Sequence, residues 1–168
     1  MKDKNMKIAL ASLVSILGLT ALLFTLSPAS SSAQRSDGSD RGDRIEGVWD
    51  SQVTLTDCQT HNVLATFRGL GTFIRGGSLA QTDNQPPGLF SPGFGTWQHV
   101  GGGHYAATFR FFTFDANGAF TGVGRVSRNI QLDRDGNTFS SVISSEIFDT
   151  NGNLIATLCG TETATRAE

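Results

Sequence analysis

Signatures of common enzyme classes are absent from this chain of 168 residues. It contains no G-x-S-x-G elbow, no Walker loop, no H-E-x-x-H helix and no dinucleotide-binding fingerprint. Thirteen Lys and Arg residues stand against 15 Asp and Glu residues, so no broad basic surface favours nucleic acid. We therefore expect no nucleic-acid partner and no cofactor. The sequence favours a non-enzymatic protein but leaves an enzymatic activity open.

Histidine is scarce, and its three copies do not form a recognisable metal site. A metal site commonly needs three protein ligands, and nothing is spaced to join His61 to His99 and His104. Three Asp-Gly phrases, at residues 115–118, 133–136 and 149–152, lack the Gly at position six and the Glu at position twelve that an EF-hand calcium loop requires. We predict no metal site.

Lysine is also rare, and its copies form a positive start to the chain at Lys2, Lys4 and Lys7. An apolar run follows over residues 8–26, and Ala33 then closes a small-residue cleavage site, with Ala29 as a second candidate. We predict a signal peptide over residues 1–33 and a secreted or periplasmic location after cleavage. The run is also long enough to span a bilayer, so an uncleaved membrane anchor is the alternative.

The exported part divides into a short polar linker and one domain. Residues 34–44 consist of Ser, Asp, Arg, Gly and Gln, which cannot bury enough surface to fold, so a flexible linker is predicted there. Residues 45–168 form the domain, and they contain both cysteines, Cys58 and Cys159. In an exported protein an even number of cysteines usually indicates a disulfide.

Three copies of one turn phrase organise the domain, and they begin at Asp115, Asp133 and Asp149. Each reads Asp, any residue, Asn or Asp, Gly, in which the Asp caps the turn and the Gly supplies a positive φ. Such phrases between alternating apolar runs predict β-hairpins. Residues 83–95 form one long irregular loop whose aromatics either pack at a rim or carry function. Eight strands are predicted, over residues 45–57, 63–75, 78–82, 96–100, 104–115, 119–133, 138–149 and 153–166.

Alternation of period two gives each long strand one apolar face. If every hairpin loop has four residues, these faces pair directly, with Leu132 opposite Phe139, Phe109 opposite Gly124 and Arg128 opposite Tyr105. The turn chemistry instead favours three-residue loops with a Gly bulge, which would shift the register by one. The sequence therefore leaves the loop lengths, and the register next to the turns, undecided. The predicted inward residues include Trp49, Ser51, Val53, Leu55, Phe111, Phe120, Gly122, Val126, Ile130, Ile143, Ser145, Ile147, Leu154, Leu158 and Glu162.

The two cysteines also indicate whether the sheet closes into a barrel. Cys58 and Cys159 lie on the outward parity of the first and last strands, so a disulfide between them requires those strands to be adjacent. That pairing brings Trp49 within about two residues of Arg166 along the ladder. We predict an all-β fold, a closed eight-stranded antiparallel up-and-down β-barrel preceded by the signal segment.

The same two residues carry a resemblance to a known superfamily. Gly47-Val48-Trp49 near the start of the first strand, with Arg166 after the last, resembles the calycins, lipocalins among them, whose terminal Arg stacks on the Trp of a G-x-W motif. The resemblance implies a calycin-like barrel in which Trp49 and Arg166 are structural. The lipocalin T-D-Y motif is absent from the later strands. A closer likeness, through Asp57-Cys58, the motif S-P-G-x-G-x-W at residues 91–97 and the D-x-x-G turns, is to uncharacterised exported bacterial proteins and implies no activity.

Two charged residues fall on the inward face, and they define the candidate site. Arg128 lies between apolar residues and Glu162 is likewise inward, yet a buried charge is costly unless it is paired. Either the two neutralise each other, or a local bulge turns Arg128 outward. The functional alternative is that Arg128 forms the polar end of an apolar pocket. The candidate ligand-binding residues are Trp97, His99, Tyr105, Phe109, Arg128 and Glu162.

Three functions are compatible with these patterns. The first is a barrel that binds a small apolar or amphipathic molecule in its lumen. The second is a cofactor-free isomerase or cyclase, as in allene oxide cyclase and dirigent barrels, with His99, Tyr105, Arg128 and Glu162 as acid–base candidates. The third is an extracellular interaction module that self-associates through the outward Phe112 and Phe114. A membrane partner is expected only if the signal segment stays uncleaved.

Overall fold

The computed structural model describes residues 43–86 and 88–168, and within them the chain forms a closed antiparallel barrel. The predicted signal peptide and most of the predicted linker lie outside the described residues. A short 3₁₀ helix, Asp43–Ile45, leads into the barrel. The strands are β1 Gly47–Asp57, β2 Val63–Ile74, β3 Ser78–Asp83, β4 Gly93–Gly101, β5 His104–Phe114, β6 Phe120–Leu132, β7 Thr138–Asp149 and β8 Leu154–Arg166.

The strands pair in chain order around a closed barrel, which confirms the predicted fold class. Each strand pairs with the next, and β8 pairs with β1. Trp49 lies directly opposite Arg166 in that last ladder, and Cys58 forms a disulfide with Cys159 just beyond its other end. The Cα atoms of the two cysteines are 5.0 Å apart. Within the described ranges, no helix is long and apolar enough to cross a membrane.

The three Asp-Gly phrases are hairpin turns, as predicted, but they are not all of one length. The amide of Asp115 bonds to the carbonyl of Ala119, and that of Asp149 bonds to Asn153, which leaves three-residue loops. The amide of Asp133 bonds to Thr138, which leaves four. The Gly in each turn has a φ between 77° and 83°, a region that disfavours side chains.

The register of the β5–β6 hairpin differs from the prediction by two residues. Phe109 lies opposite Val126, and Gly124 lies opposite Phe111. Arg128 lies opposite Ala107, so its predicted pairing with Tyr105 is wrong. The cause is the three-residue loop combined with an irregularity at the end of β5, each of which moves the pairing by one. The pairing of Leu132 with Phe139, next to the four-residue loop, is confirmed.

Two large side chains predicted to face inward are exposed. Phe120 is 48% exposed and Leu154 is 53% exposed, because each lies between its turn and a register irregularity that reverses the alternation. The Phe120 ring instead contacts Phe112 and Phe114 on the outside, with ring centroids 5.8 and 6.3 Å apart. The outward placement of Phe112 is as predicted, at 54% exposure.

β4 is longer than predicted, since it begins at Gly93 and not at Thr96. The glycines at its start have no side chains, so apolar alternation did not indicate this part of the strand. They are needed there because β5 approaches closely: a Cβ on Gly95 would lie 1.9 Å from the carbonyl oxygen of Thr108. One on Gly93 would lie 2.6 Å from the Phe109 ring.

One end of the barrel is packed solid. Trp49 is buried against Phe139, with ring centroids 4.8 Å apart, and its indole N–H donates to the carbonyl of Ile45 at 2.8 Å. The Arg166 guanidinium stacks 4.4 Å above the Trp49 ring and donates to the carbonyl of Glu46 at 2.7 Å. The buried residues of this closed end are Ile45, Trp49, Phe73, Leu79, Tyr105, Leu132, Phe139 and Ala164.

Candidate functional site

The other half of the barrel encloses a cavity of about 350 Å³. It opens at the end that carries the disulfide and the β1–β2, β5–β6 and β7–β8 turns. Small-molecule sites generally occupy about 300–1,000 Å³, so this cavity is at the lower end of that range. Its walls are largely apolar and include Val53, Leu55, Phe67, Phe109, Phe111, Val126, Ile143, Ile147 and Leu158.

The size of the inward side chains explains why this half is open. At the closed end, large aromatic rings meet across the lumen, as Phe73 does with Phe139 at 6.1 Å. Toward the mouth, the small Ser145 is buried in the cavity wall and lies opposite Val126. The Phe111 ring fits only because its partner Gly124 has no Cβ, which would lie 2.2 Å from the ring.

A buried ion pair forms the inner end of the cavity. Nη1 of Arg128 donates to both carboxylate oxygens of Glu162, at 2.9 and 3.0 Å, and Ser141 donates its hydroxyl to the same carboxylate at 2.8 Å. The two charged side chains are 3% and 1% exposed, and both line the cavity. The pairing of Arg128 with Glu162 is therefore confirmed, and Arg128 does not turn outward. The pair also lies at the inner end of the cavity, where a binding pocket would have its polar group.

Aromatic rings hold the guanidinium of Arg128 in place. Its Cζ lies 5.0 Å from the ring centroid of Phe109 and 5.8 Å from that of Phe73. A cation over the face of a ring is attracted by the ring quadrupole, most strongly when it is desolvated. The Nε of Arg128 is buried and has no hydrogen-bond partner among the described residues.

Gln81 is a polar cavity residue that was not recognised from the sequence. It lies opposite Gly71 on β2 and Gly93 on β4, so neither neighbouring strand places a side chain beside it. Its Oε1 is buried and finds no donor in the described part of the chain. β3 is short and alternates weakly between apolar and polar residues. The one sequence feature that could have indicated a cavity position for Gln81 is its place between the glycine-rich strands β2 and β4.

Three of the six candidate ligand-binding residues line the cavity, namely Phe109, Arg128 and Glu162. The other three pack against one another outside the cavity lining. The Tyr105 ring lies 5.0 Å from His99 and 6.0 Å from Trp97. The indole N–H of Trp97 donates to the carbonyl of Ile74 at 3.0 Å, near the closed end. His99 lies directly opposite Tyr105 in the β4–β5 ladder.

The long loop between β3 and β4 reaches over the mouth of the cavity. Phe90 lines the cavity and its ring lies 5.8 Å from that of Phe111. The loop is tied to the end of β5 by hydrogen bonds, from the Ser91 amide to the carbonyl of Phe112 at 3.0 Å and from the Phe114 amide to that of Leu89 at 2.9 Å. An aromatic side chain of this loop thus forms part of the rim.

Two carboxyl groups with lowered pKa lie in turns at the open end of the barrel. Hydrogen bonds from the backbone and hydroxyl of Thr60 lower the pKa of Asp57. Hydrogen bonds from the side chain and backbone of Asn153 lower that of Asp149. Both carboxylates stabilise turns, and neither belongs to the lining of the cavity. In the described ranges, no three His, Cys, Asp or Glu side chains cluster as a metal site would require.

Comparisons with protein-family models, with curated proteins and with solved structures found no match to this chain. A small closed barrel supports many unrelated functions, so the architecture alone does not identify one. The function has to be inferred from the cavity and the residues around it.

Proposed function

We propose that the protein binds a small apolar or amphipathic molecule in the lumen of its barrel. The observation that supports this is the open cavity of about 350 Å³, walled by apolar side chains and ended by the Arg128–Glu162 pair. Ligand sites commonly combine mostly apolar walls with a few fixed polar groups, which give orientation and specificity. A mouth at one end and a packed floor at the other make the lumen accessible from one direction.

An isomerase or cyclase has less support. It would need an acid–base group free to exchange a proton with a bound substrate. Of the four candidates, His99 and Tyr105 lie outside the cavity lining, and Arg128 and Glu162 are bonded to each other. This alternative predicts turnover of a bound ligand, whereas a carrier releases its ligand unchanged.

A purely structural or self-associating module also has less support, because a filled lumen would be expected of it. The outward pair Phe112 and Phe120 remains a candidate surface for self-association, with Phe114 beside it. Analytical ultracentrifugation of a Phe112→Ser variant would test that role separately from ligand binding.

The relationship to calycins and the export of the protein belong to the same proposal. The stacking of Arg166 on Trp49 across the closed end supports a calycin-like barrel. The disulfide between Cys58 and Cys159 supports an oxidising compartment, either secreted or periplasmic. Intact mass of the exported protein tests the predicted removal of residues 1–33.

Titration with 1-naphthylamine, a neutral dye small enough for the cavity whose fluorescence emission shifts to the blue on leaving water, tests lumen binding. Ser145→Phe places a ring in the cavity and should weaken dye binding by about tenfold or more, an energy near 1.4 kcal/mol. Ser144→Phe is the matched control, because Ser144 is exposed on the same strand. It should leave binding unchanged.

Ser145→Leu fills less space and should weaken the dye less than Ser145→Phe, provided that circular dichroism shows both variants folded. Absence of dye binding to the unaltered protein, or equal binding by the two Phe variants, would contradict the proposal.

A further inference from the structure

Two polar atoms of opposite hydrogen-bonding type belong to cavity residues and lack a partner among the described residues. One is the Nε of Arg128, which can only donate, and the other is the Oε1 of Gln81, which can only accept. Both atoms are buried, and both residues line the same cavity. Buried polar atoms in native proteins are nearly always paired, so an unpaired donor and an unpaired acceptor in one cavity require an explanation.

The charge of the inner end limits what can pair with these atoms. Glu162 already neutralises Arg128, and its carboxylate oxygens accept two hydrogen bonds from Nη1. A ligand carboxylate placed there would lie beside the Glu162 carboxylate, and a ligand ammonium would lie beside the Arg128 guanidinium. Burying a charge without a counter-ion is strongly unfavourable, so the inner end suits a neutral group.

The volume limits the length of the apolar part. At about 30 Å³ for each water-sized group, a cavity of about 350 Å³ accommodates roughly a dozen such groups. A straight chain of about eight carbons with one polar end therefore fits within it.

We infer that the ligand is a neutral apolar molecule with a hydroxyl at the end that enters the cavity first, an inference that depends on the proposed function. The hydroxyl oxygen accepts from Nε of Arg128 and the hydroxyl proton is donated to Oε1 of Gln81. The apolar chain then extends between Phe109, Val126 and Ile143 toward the mouth.

Displacement of the naphthylamine dye by four compounds with matched chains tests the inference. 1-Octanol should bind more tightly than octanoate and octylammonium by about tenfold or more, because neither ion finds a counter-ion. It should also bind roughly three- to tenfold more tightly than 2-octanone, whose carbonyl accepts a hydrogen bond but cannot donate one.

Gln81→Leu tests the assignment of the acceptor. The variant should lose the preference for 1-octanol over 2-octanone, while its affinity for the ketone stays within about twofold of the unaltered protein. Gln98→Leu is the matched control, since Gln98 is exposed on β4, and it should retain the preference. A ratio of two affinities within one variant is insensitive to a general loss of stability.

The outcomes separate this inference from the proposed function. Tightest binding by octanoate or octylammonium, or an unchanged alcohol preference in Gln81→Leu, would overturn the neutral hydroxyl while lumen binding stands. Failure of the dye itself to bind would instead remove the proposed function.

Discussion

Arg128 and Glu162 lie inside an apolar barrel, where an isolated charge would be strongly unfavourable. The two are bonded to each other. The Ser141 hydroxyl also donates to Glu162, and the rings of Phe73 and Phe109 lie against the Arg128 guanidinium. Removing one partner of such a pair costs far more than removing both, because the remaining charge stays buried.

Arg128→Leu should therefore lower the free energy of unfolding by about 3–5 kcal/mol, since it leaves the Glu162 carboxylate without its counter-ion. Arg128→Leu combined with Glu162→Leu should recover much of that loss. Urea unfolding of the three variants measures both effects. A single variant within about 0.5 kcal/mol of the unaltered protein would contradict the interpretation of a structural pair.

The glycine at position 95 has a different task, which is to let two strands approach. A Cβ there would overlap the Thr108 carbonyl, so Gly95→Ala should destabilise the barrel by about 1–3 kcal/mol through displaced backbone. Gly71→Ala is the control, because the nearest atoms to a Cβ at that position lie 3.9 Å away. Thermal unfolding should show a clearly lower midpoint for Gly95→Ala; equal midpoints would be evidence against the close approach.

At the scale of strands and turns, the Asp residues of the hairpins hold their loops through their carboxylates. Oδ1 of Asp149 accepts from the amides of Asn151 and Asn153, and its Oδ2 accepts from the Asn153 side chain. These bonds favour the ionised form and keep the pKa of Asp149 below its ordinary value of 3.8.

Asn153→Ala should raise the pKa of Asp149 toward 3.8, because it removes the largest cause of the lowering. Asn151→Ala should leave it in place, since Asn151 donates through its backbone amide. NMR titration of the carboxyl carbon measures both. Because the folded pKa is lowered, the stabilisation is present above about pH 3.8 and is lost as the pH falls through the lowered value. A pKa that stays unchanged in Asn153→Ala would contradict this assignment.

Much of the architecture could be predicted from the sequence because alternation, turn chemistry and the two cysteines agree. Strand order, closure and the opposition of Trp49 and Arg166 all follow from them. Local bulges could not be predicted, since one inserted residue leaves no mark in an alternating pattern. Phe120 and Leu154 were misplaced for that reason.

The candidate site was harder to predict, because alternation tells which face a residue occupies but not how deep it lies along the barrel. Trp97 and Tyr105 share the inward side with Phe109, yet only Phe109 reaches the cavity. Depth depends on the register between strands, which the bulges alter. Gln81 was not recognised because a polar residue on a short strand is typical of a solvent-exposed edge strand.

At the scale of the whole molecule, the disulfide joins the first strand to the last across 101 residues of sequence. A cross-link of that span restricts the unfolded chain and contributes about 4–5 kcal/mol in the chain-entropy model.

Reduction should therefore lower the urea midpoint of the protein, with a loss of about 2–5 kcal/mol in unfolding free energy. The double variant Cys58→Ser, Cys159→Ser should match the reduced protein and be insensitive to reductant. Non-reducing peptide mass spectrometry should show the linked pair. Equal midpoints with and without reductant would mean that the bond adds nothing to stability.

The position of the disulfide also determines how the barrel would respond to mechanical force. The first pair of the β1–β8 ladder, Trp49 with Arg166, lies at the closed end, and the cross-link lies at the far end. Tension applied between the start of β1 and the end of β8 would break the residue pairs of the ladder one after another, beginning at the closed end. Separation of the two strands would stop at the disulfide. An oxidised molecule held in optical tweezers would then lengthen only by the chain outside the cross-link, whereas a reduced one would extend along its full contour.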